Sequence, residues 1–437
     1  MDSSRLTDRL RAIISPAGAT PVRPMPGPAA GPSGGDALEQ VLGGEWQEGA
    51  GDRCFVVERS VEPARAYGST AVGGLAAQMA EAAAAAPLLA AGAESRPPFL
   101  FFDLETTGLS GGAGTLAFLV GCGWFDERGG FATRQYVLTR HADEPALLRA
   151  VCGEFARAGL LVSFNGRSFD APMLEARCLF HRLRWNGRVR PHLDVLHPAR
   201  RFWGARATRE AENDCSLAAL ERRLFGIHRA GDVSGAEAPA RYFAFVRTGD
   251  ARPLAGVLDH NRQDLLSLAA LTVRLLRLAH RGHAEASHPE EALALGRLYA
   301  RAGLDAAACD ALRHAVTIAD SMPRGRTDAM RASSKDAGAA VKLEALRALA
   351  LALRRARRYD EAAACWQRML DMPFCPPHFL REANQALAVH HEHRARDLAA
   401  AKTFALRTLE AGLVRESWTE AARHRLARIE RKLGFLE

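Results

Sequence analysis

Short blocks of apolar residues, separated by turn residues, run through the first half of the chain. Three of them cover residues 99–104, 115–125 and 131–138, and the turn-like stretch 126–130 separates the last two. Blocks of this length, bounded by Gly and Asp, are typical of buried strands. The pattern therefore predicts three strands joined as an antiparallel meander.

The pattern then changes to helical periodicity interrupted by short apolar runs. It predicts helices over 143–158 and 168–183, strands over 160–164 and 192–196, and a long helix over 253–279. Strands that alternate with helices are typical of an α/β sheet. The predicted fold class is therefore α/β, with a mixed sheet flanked by helices and followed by an all-α region.

Composition divides the chain into four segments. Residues 1–37 are so rich in Pro, Gly and Ala that they cannot bury enough apolar surface to become ordered, and they are predicted to be a disordered leader. Residues 38–98 are predicted to form a lead-in subdomain that packs on the α/β unit. That unit occupies residues 99–282, and residues 289–437 are wholly helical by their pattern.

The helical segment repeats itself. Asp305, Asp360 and Asp397 each end a short turn between one helix and a second helix that opens with alanines. The interval from Asp360 to Asp397 is close to the ~34 residues of tetratricopeptide helix pairs, and the longer interval before Asp360 leaves room for a polar insertion at 321–340. Stacked helix pairs form concave binding surfaces, so this segment is predicted to bind a protein partner.

Composition and charge narrow the class of protein. With 48% hydrophobic and 25% charged residues in 437, the chain is neither disordered throughout nor fibrous. No apolar run approaches a membrane span and no signal-like segment begins the chain, so we expect a cytoplasmic protein without a membrane partner. Eight cysteines without a C-x-x-C pair argue against a disulfide framework or a thiolate zinc site. A net charge of +8 mildly favours an anionic partner such as nucleic acid.

The first candidate site lies at the end of the first predicted strand, in FLFFDLETTGLSGG. Because residues i and i+2 of a strand share a face, Asp103 and Glu105 project together. Like charges this close are unfavourable unless a cation lies between them. An acidic pair is common by chance, but here an apolar strand precedes it and a tight turn with backbone donors follows, which indicates a metal–phosphate site.

Two further motifs carry candidate chemistry. In SFNGRSFDAPML, Asp170 falls in the first turn of a helix, where the helix dipole favours a carboxylate, although a plain helix-start Asp with Ser168 as cap fits equally well. In LDHNRQDLLSL, His260 and Asp264 lie four residues apart on one helical face that continues as an apolar stripe. An exposed His–Asp pair is the alternative there.

Together these motifs predict a two-metal site. The four carboxylates of Asp103, Glu105, Asp170 and Asp264 suit two hard cations, Mg²⁺ or Mn²⁺, bound through oxygen. Two such ions ~3.5 to 4 Å apart support phosphodiester hydrolysis. A histidine side chain titrates near neutral pH, so His260 is the candidate general base or orients the attacking water.

The motifs also carry a family resemblance. DLETTG, NGRSFD and HNRQD resemble the three exonuclease motifs of the DnaQ-like, DEDD branch of the ribonuclease H superfamily, over roughly residues 99–278. The longer runs PHLDVLHPARRFW, DCSLAALERRLFGI and VLDHNRQDLLSLA resemble the bacterial YprB-like proteins, which pair such a domain with C-terminal tetratricopeptide-like repeats. The resemblance implies a ribonuclease H-like fold for residues 99–282.

The resemblance implies an activity as well as a fold. It implies a two-metal-dependent 3′–5′ exonuclease that releases nucleoside monophosphates from the 3′ end of single-stranded DNA or RNA. The four carboxylates take the metal-ligand roles and His260 the general-base role. Five further residues are placed near the substrate: Thr107, Gly108, Leu109, Asn165 and Arg167.

The sequence departs from the family pattern at the histidine. His260 lies four residues before Asp264, the spacing typical of the tyrosine variant, whereas histidine usually stands five residues before. Asp194 resembles a recurrent acidic position near the site, but a solvated strand-end Asp is an equal alternative. Two other functions stay open: a catalytically weak or inactive nucleic-acid-binding adaptor, and a structure-selective endonuclease using the same metal chemistry.

Overall fold

A computed structural model describes residues 38–49, 52–90, 94–108, 114–204, 215–321, 332–373, 375–410 and 416–434. The leader predicted for residues 1–37 and the candidate substrate residue Leu109 lie outside these ranges.

The strands within the described ranges include all five that the pattern predicts. They are β1 (Glu45–Gly49), β2 (Asp52–Val61), β3 (Ala66–Tyr67), β4 (Thr70–Ala71), β5 (Phe99–Thr106), β6 (Ala117–Phe125), β7 (Phe131–Val137), β8 (Leu160–Ser163) and β9 (His192–Asp194).

The α-helices of the first two thirds of the chain end with the long helix that the pattern predicts. They are α1 (Leu38–Leu42), α2 (Val72–Ala82), α3 (Ala86–Leu89), α4 (Glu144–Arg157), α5 (Asp170–Phe180), α6 (Leu196–Trp203), α7 (Leu217–Phe225), α8 (Ala238–Thr248) and α9 (Arg252–Arg281).

The remaining helices come one after another with short connections. They are α10 (Pro289–Arg301), α11 (Asp305–Ser321), α12 (Ala332–Arg355), α13 (Tyr359–Leu370), α14 (Pro377–His390), α15 (Leu398–Glu410) and α16 (Glu416–Gly434).

Seven of these strands form one mixed sheet in the order β1-β2-β7-β6-β5-β8-β9. The pairs from β1 to β5 are antiparallel, whereas β8 and β9 join β5 in parallel. The predicted fold class, a ribonuclease H-like mixed sheet with flanking helices followed by a many-helix region, is confirmed. The edge strand β1 and its neighbour β2 come from the segment predicted as a lead-in subdomain. That domain boundary stays a prediction.

Alternation along β5 divides its side chains between two cores. Phe102 packs with Phe155 of α4 on one face of the sheet, where their ring centroids lie 4.9 Å apart. Phe101 packs with Phe131 on the opposite face, in the core that contains α9. Asp103 and Glu105 continue the side of Phe101. The acidic pair therefore projects toward α9, which carries the third motif.

Helix α2 contacts α9 on the same side of the sheet. The buried apolar face of α2 consists of residues that include Val72, Leu75 and Met79. The stretch Val72–Leu89 has a mean hydropathy of 1.2 and is, by length and composition alone, long and apolar enough to cross a membrane. This stretch departs from the sequence expectation that no apolar run approaches a membrane span. Buried core helices meet the same criterion, so this is weak evidence for a membrane span.

Helices α10 to α16 pack in sequence order, each mainly against the next. The predicted turns fall where the sequence placed them: α11 begins at Asp305, α13 at Tyr359 next to Asp360, and Asp397 accepts a bond from the Ala400 amide at 2.9 Å before α15. The core of α10 to α14 is continuous with that of α9, whereas α15 and α16 bury residues in a separate small cluster with the end of α14. Whether the segment is a tetratricopeptide array stays a prediction.

Candidate active site

The two carboxylates of the first motif lie at the carboxyl end of β5, near the centre of the sheet. Asp103 pairs with Gly121 and Glu105 with Leu119 of β6, and the pairing becomes irregular directly after Glu105. Glu105 is only 8% exposed, whereas Asp103 is partly exposed. The end of a buried strand thus holds two acidic side chains on one face with little water around them.

Asp170, the first residue of α5, is held by the loop that connects β8 to this helix. Asn165 takes a left-handed conformation with φ 67°. The backbone N–H of Asn165 donates to Asp194 Oδ1 at 2.8 Å, and the backbone N–H of Arg167 donates to Asp194 Oδ2 at 3.1 Å. At Gly166 a Cβ atom would lie 2.9 Å from Asp170 Oδ2, so only glycine permits this packing. Asp194 is buried and shapes the loop, so the solvated alternative is wrong.

Helix α9 brings the third motif against β5 through a buried amide that the sequence reasoning missed. Asn261 Nδ2 donates to Asp103 Oδ2 at 2.9 Å, and Asn261 Oδ1 accepts from Gln135 Nε2 at 2.9 Å. A Cβ atom at Gly121 would overlap Asn261 Oδ1. The amide therefore fixes the orientation of Asp103, and Gly121 leaves the space for it. Asp264 lies one turn further along α9.

The pKa values of the four carboxylates are raised. Burial, followed by the charges of Asp264, Asp170 and Glu105, raises the pKa of Asp103 well above its ordinary value. Burial raises the pKa of Glu105 to about 7, with Asp264 and Asp170 adding to the shift. The pKa of Asp170 rises to about 7 through burial and Asp194. Burial also raises the pKa of Asp264. Like charges held together in a low-dielectric site favour the uptake of cations.

Two cationic or potentially cationic groups face this cluster. Arg229, in the loop after α7, bonds Asp264 Oδ1 through Nη2 at 2.6 Å. His260 lies between two carboxylates, with Nδ1 2.8 Å from Asp232 Oδ1 and Nε2 3.5 Å from Asp264 Oδ2. The alternative of an isolated, exposed His–Asp pair is therefore wrong, because both side chains take part in this larger network.

The donor set fits divalent metal ions by its chemistry. Its members are carboxylate oxygens, which Mg²⁺ and Mn²⁺ prefer as ligands. A bound cation would lower the raised pKa values of these carboxylates. As the side chains stand, no three His, Cys, Asp or Glu residues in the described ranges are grouped closely enough to hold an ion. Asp103 instead bonds Asn261, and Asp264 bonds Arg229. A metal site therefore requires rearrangement of these side chains.

The candidate substrate residues lie on the two loops beside the carboxylates. Thr107 comes directly after β5, and its Oγ1 accepts from the Leu116 amide at 2.9 Å. Gly108 is partly exposed next to it, while the Arg167 side chain is exposed beyond Asn165. Their roles toward a substrate stay predictions.

Sequence reasoning missed the polar network around Arg229 because its members are distant in the chain. Glu221, Arg229 and Asp232 come from α7 and the loop after it, and they lie in no pattern that separates them from surface charges. Asn261 did give a signal. It stands four residues before the buried Leu265, on the apolar face of α9, where a polar side chain needs a partner.

Comparisons with known proteins support the ribonuclease H-like fold of this region. The family model described as RNase_H superfamily matches residues 100–276, which contain all three motifs. The uncharacterized protein YprB of Bacillus subtilis (strain 168) is 30% identical to the chain over 344 residues. This match covers 76% of the chain and 74% of that relative, so it extends well beyond the α/β unit.

Proposed function

Because this chain belongs to the RNase H superfamily as a relative of YprB, we propose that it is a two-metal-dependent 3′–5′ exonuclease acting on single-stranded DNA or RNA. The family itself supports a nucleic-acid-cleaving function and, with it, nucleic-acid binding. Nucleases of this superfamily generally use divalent metals. The direction of degradation and the identity of the ions are the parts that we propose.

One observation carries the proposal: carboxylates from three separate elements, β5, α5 and α9, lie at one end of the sheet, where Asp170 and Asp264 raise the pKa of Asp103 and Glu105. Asp103, Glu105, Asp170 and Asp264 would hold the ions. When bound, Mg²⁺ or Mn²⁺ would lower the pKa of a water molecule and stabilise the departing oxygen. Asn261 would keep Asp103 oriented throughout, because its bond to Asp103 Oδ2 uses only one carboxylate oxygen.

The contacts of His260 suit a general base. Although burial opposes the shift, His260 and Arg229 hold the pKa of Asp232 below its ordinary value, so Asp232 is a carboxylate that can only accept. A hydrogen on Nδ1 of His260 would be donated to Asp232, and Nε2 faces Asp264. Nε2 could take a proton from the attacking water beside Asp264. Asp232 thus compensates for the unusual spacing of this histidine.

The test is degradation of end-labelled single-stranded DNA and RNA with Mg²⁺ or Mn²⁺. A 5′ label should give a ladder that shortens stepwise from the 3′ end, with mononucleotides as product. Asp103→Ala and Asp264→Ala should abolish the ladder. Asp259→Ala is the matched control on α9, because its side chain is 68% exposed and bonds only Arg262 among the described contacts. It should retain activity.

The remaining alternatives are separated in the same assay. Cleavage of a circular single strand, which has no end, would show that the protein is an endonuclease and not an exonuclease. Binding of nucleic acid without cleavage, unchanged in Asp103→Ala, would favour the non-catalytic adaptor. A role for α10–α16 in binding a protein partner and a cytoplasmic location are further parts of the proposal.

A further inference from the structure

We propose that Arg229 is a built-in counter-cation of the active site, which holds Asp264 before a divalent ion binds and must release it for binding to occur. The released guanidinium then serves the phosphate of the substrate. This inference deepens the metal-dependent function proposed above and rests on it.

The contacts of Arg229 are those of a placed group. Its side chain is 10% exposed. Its three nitrogens face three carboxylates: Nε bonds Glu221 Oε2 at 2.6 Å, Nη2 bonds Asp264 Oδ1 at 2.6 Å, and Nη1 lies 3.2 Å from Asp232 Oδ2. One guanidinium thus links the candidate metal ligand, the partner of His260 and a buried anchor.

Glu221 is that anchor: Arg229 bonds its Oε2, and its other oxygen has donors of its own. It is 1% exposed, and its Oε1 accepts from Tyr67 at 3.0 Å, from Ser267 at 2.8 Å and from Gln263 at 2.5 Å. Replacement of Arg229 removes the partner of Oε2 but leaves the donors on Oε1. We expect the Arg229 variants to fold with reduced stability, which thermal unfolding measures.

Arg229 occupies one oxygen of Asp264 while this arrangement persists. Oδ1 bonds Arg229, and Oδ2 lies 3.5 Å from His260 Nε2. A divalent ion that takes Asp264 as ligand repels the guanidinium across this short distance. In the proposed exchange the bond between Arg229 and Asp264 breaks, while Nε retains Glu221.

Release leaves the Nη atoms of Arg229 beside the reacting centre. The planar fork of arginine fits two oxygens of one phosphate. A bound phosphate would hold Arg229 away from Asp264, so metal and phosphate should each strengthen the binding of the other. Such coupling between two ligands is reciprocal. The arrangement predicts weak metal binding alone and tighter binding with substrate.

The experiment measures Mn²⁺ binding by calorimetry, with and without adenosine monophosphate, which carries a phosphate and is not cleaved. In the native protein the monophosphate should tighten Mn²⁺ binding several-fold. Arg229→Gln should bind Mn²⁺ alone about tenfold more tightly, since a charge-assisted bond no longer competes, and should lose the coupling. Arg229→Lys, which keeps the charge without the fork, should bind Mn²⁺ as weakly as the native protein and show reduced coupling.

Arg262→Gln is the matched control, because it removes the same charge from a residue two positions before Asp264 that bonds Asp259 instead. It should behave as the native protein. A second measurement needs no variant: Mg²⁺ should increase the modification of Arg229 by phenylglyoxal, read by mass spectrometry. Arg177, buried against Glu144, should show no change.

Equal Mn²⁺ affinity of the native protein and Arg229→Gln would overturn the inference, as would modification of Arg229 that is independent of Mg²⁺. Either result would make Arg229 a structural brace. Absence of any Mn²⁺ binding to the native protein would instead contradict the proposed metal-dependent function, so the two failures are distinguishable.

Discussion

Two regions of this molecule bury carboxylates in opposite ways. In the helical region, Glu392 lies in the π-helical turn His391–Ala395 and accepts from Arg425, Arg428 and Lys432 of α16 at 2.7–3.1 Å. Although burial opposes the shift, Arg428 and Lys432 lower its pKa to about 2. At the end of β5 the balance is reversed: four carboxylates lie together, Arg229 bonds one of them, Asp264, and the pKa values of all four are raised.

The difference distinguishes a structural carboxylate from one that awaits a ligand. Glu392 has three cationic partners, and His393 Nε2 is also 3.4 Å away. Its charge is therefore compensated, and it holds the turn after α14 against α16. The carboxylates near Asp103 repel one another and gain from any added cation. A carboxylate thus stabilises helix packing at Glu392, whereas at Asp103 it is available to bind a cation.

The largest effect should come from removing one charge at the crowded site. Asp103→Asn keeps an oxygen that can accept from Asn261 but removes a candidate metal ligand, so hydrolysis should fall by about 10³-fold. Without metal, the variant should be more stable by about 1 kcal/mol, because it relieves buried repulsion. Thermal unfolding in a chelator measures the stability. A lower unfolding temperature would break the comparison with Glu392.

A change in backbone space tests how tightly the site is oriented. In Gly121→Ala the new Cβ would overlap Asn261 Oδ1, displacing the amide from Asp103. We expect hydrolysis to fall by about 10²-fold and stability by about 1–3 kcal/mol. Gly153→Ala on α4 is the control, since a Cβ there has open space, and it should keep full activity. Unchanged activity of Gly121→Ala would show that Asn261 does not need to orient Asp103.

Addition of metal should stabilise the protein through the carboxylates at the end of β5 and not through Glu392. At 100 times its dissociation constant, Mg²⁺ should raise the free energy of unfolding by about 2.7 kcal/mol. Differential scanning calorimetry with Mg²⁺ and with a chelator measures the shift, which Asp264→Asn should reduce. A shift of the same size in Asp264→Asn would place the ion elsewhere.

The same neutralising change at the satisfied site should have the opposite effect. Glu392→Gln leaves three cations of α16 without their carboxylate and should cost about 2 kcal/mol, a value discounted because those cations are partly exposed. Chemical denaturation measures the loss. Glu430→Gln, an exposed residue of α16 that bonds Lys402, is the control and should change stability little.

The pH dependence of the Glu392 contribution comes from its lowered pKa. Because the folded pKa of about 2 lies below the ordinary value of 4.5, the stabilisation is present above pH 4.5 and is lost as the pH falls toward 2. The groups that face the carboxylate are Arg425, Arg428, Lys432 and His393. Denaturation of Glu392→Gln should therefore lack this part of the acid dependence. An unchanged difference between the two proteins from pH 5 to pH 3 would refute the assignment.

Local patterns in the sequence predicted the sheet and the position of the acidic pair. Strand alternation placed Asp103 and Glu105 on one face, and helical spacing placed His260 and Asp264 on another, because both inferences depend only on residues close in the chain. Glu392 escaped prediction because its cationic partners are 33–40 positions away on α16. Arg229 escaped it for the same reason, since nothing in its neighbourhood indicates which carboxylates it meets.

The edge of the sheet limits how this domain can be inherited or cut. Strand β2 pairs with β7 from Phe55–Val137 to Val61–Phe131, and β1 covers the other side of β2. A fragment that begins at residue 99 would leave the hydrogen-bonding edge of β7 bare, and bare edges recruit other chains. A recombination event that moved only the segment with the three acidic motifs would thus transfer an aggregation-prone piece. The smallest transferable unit begins before Glu45.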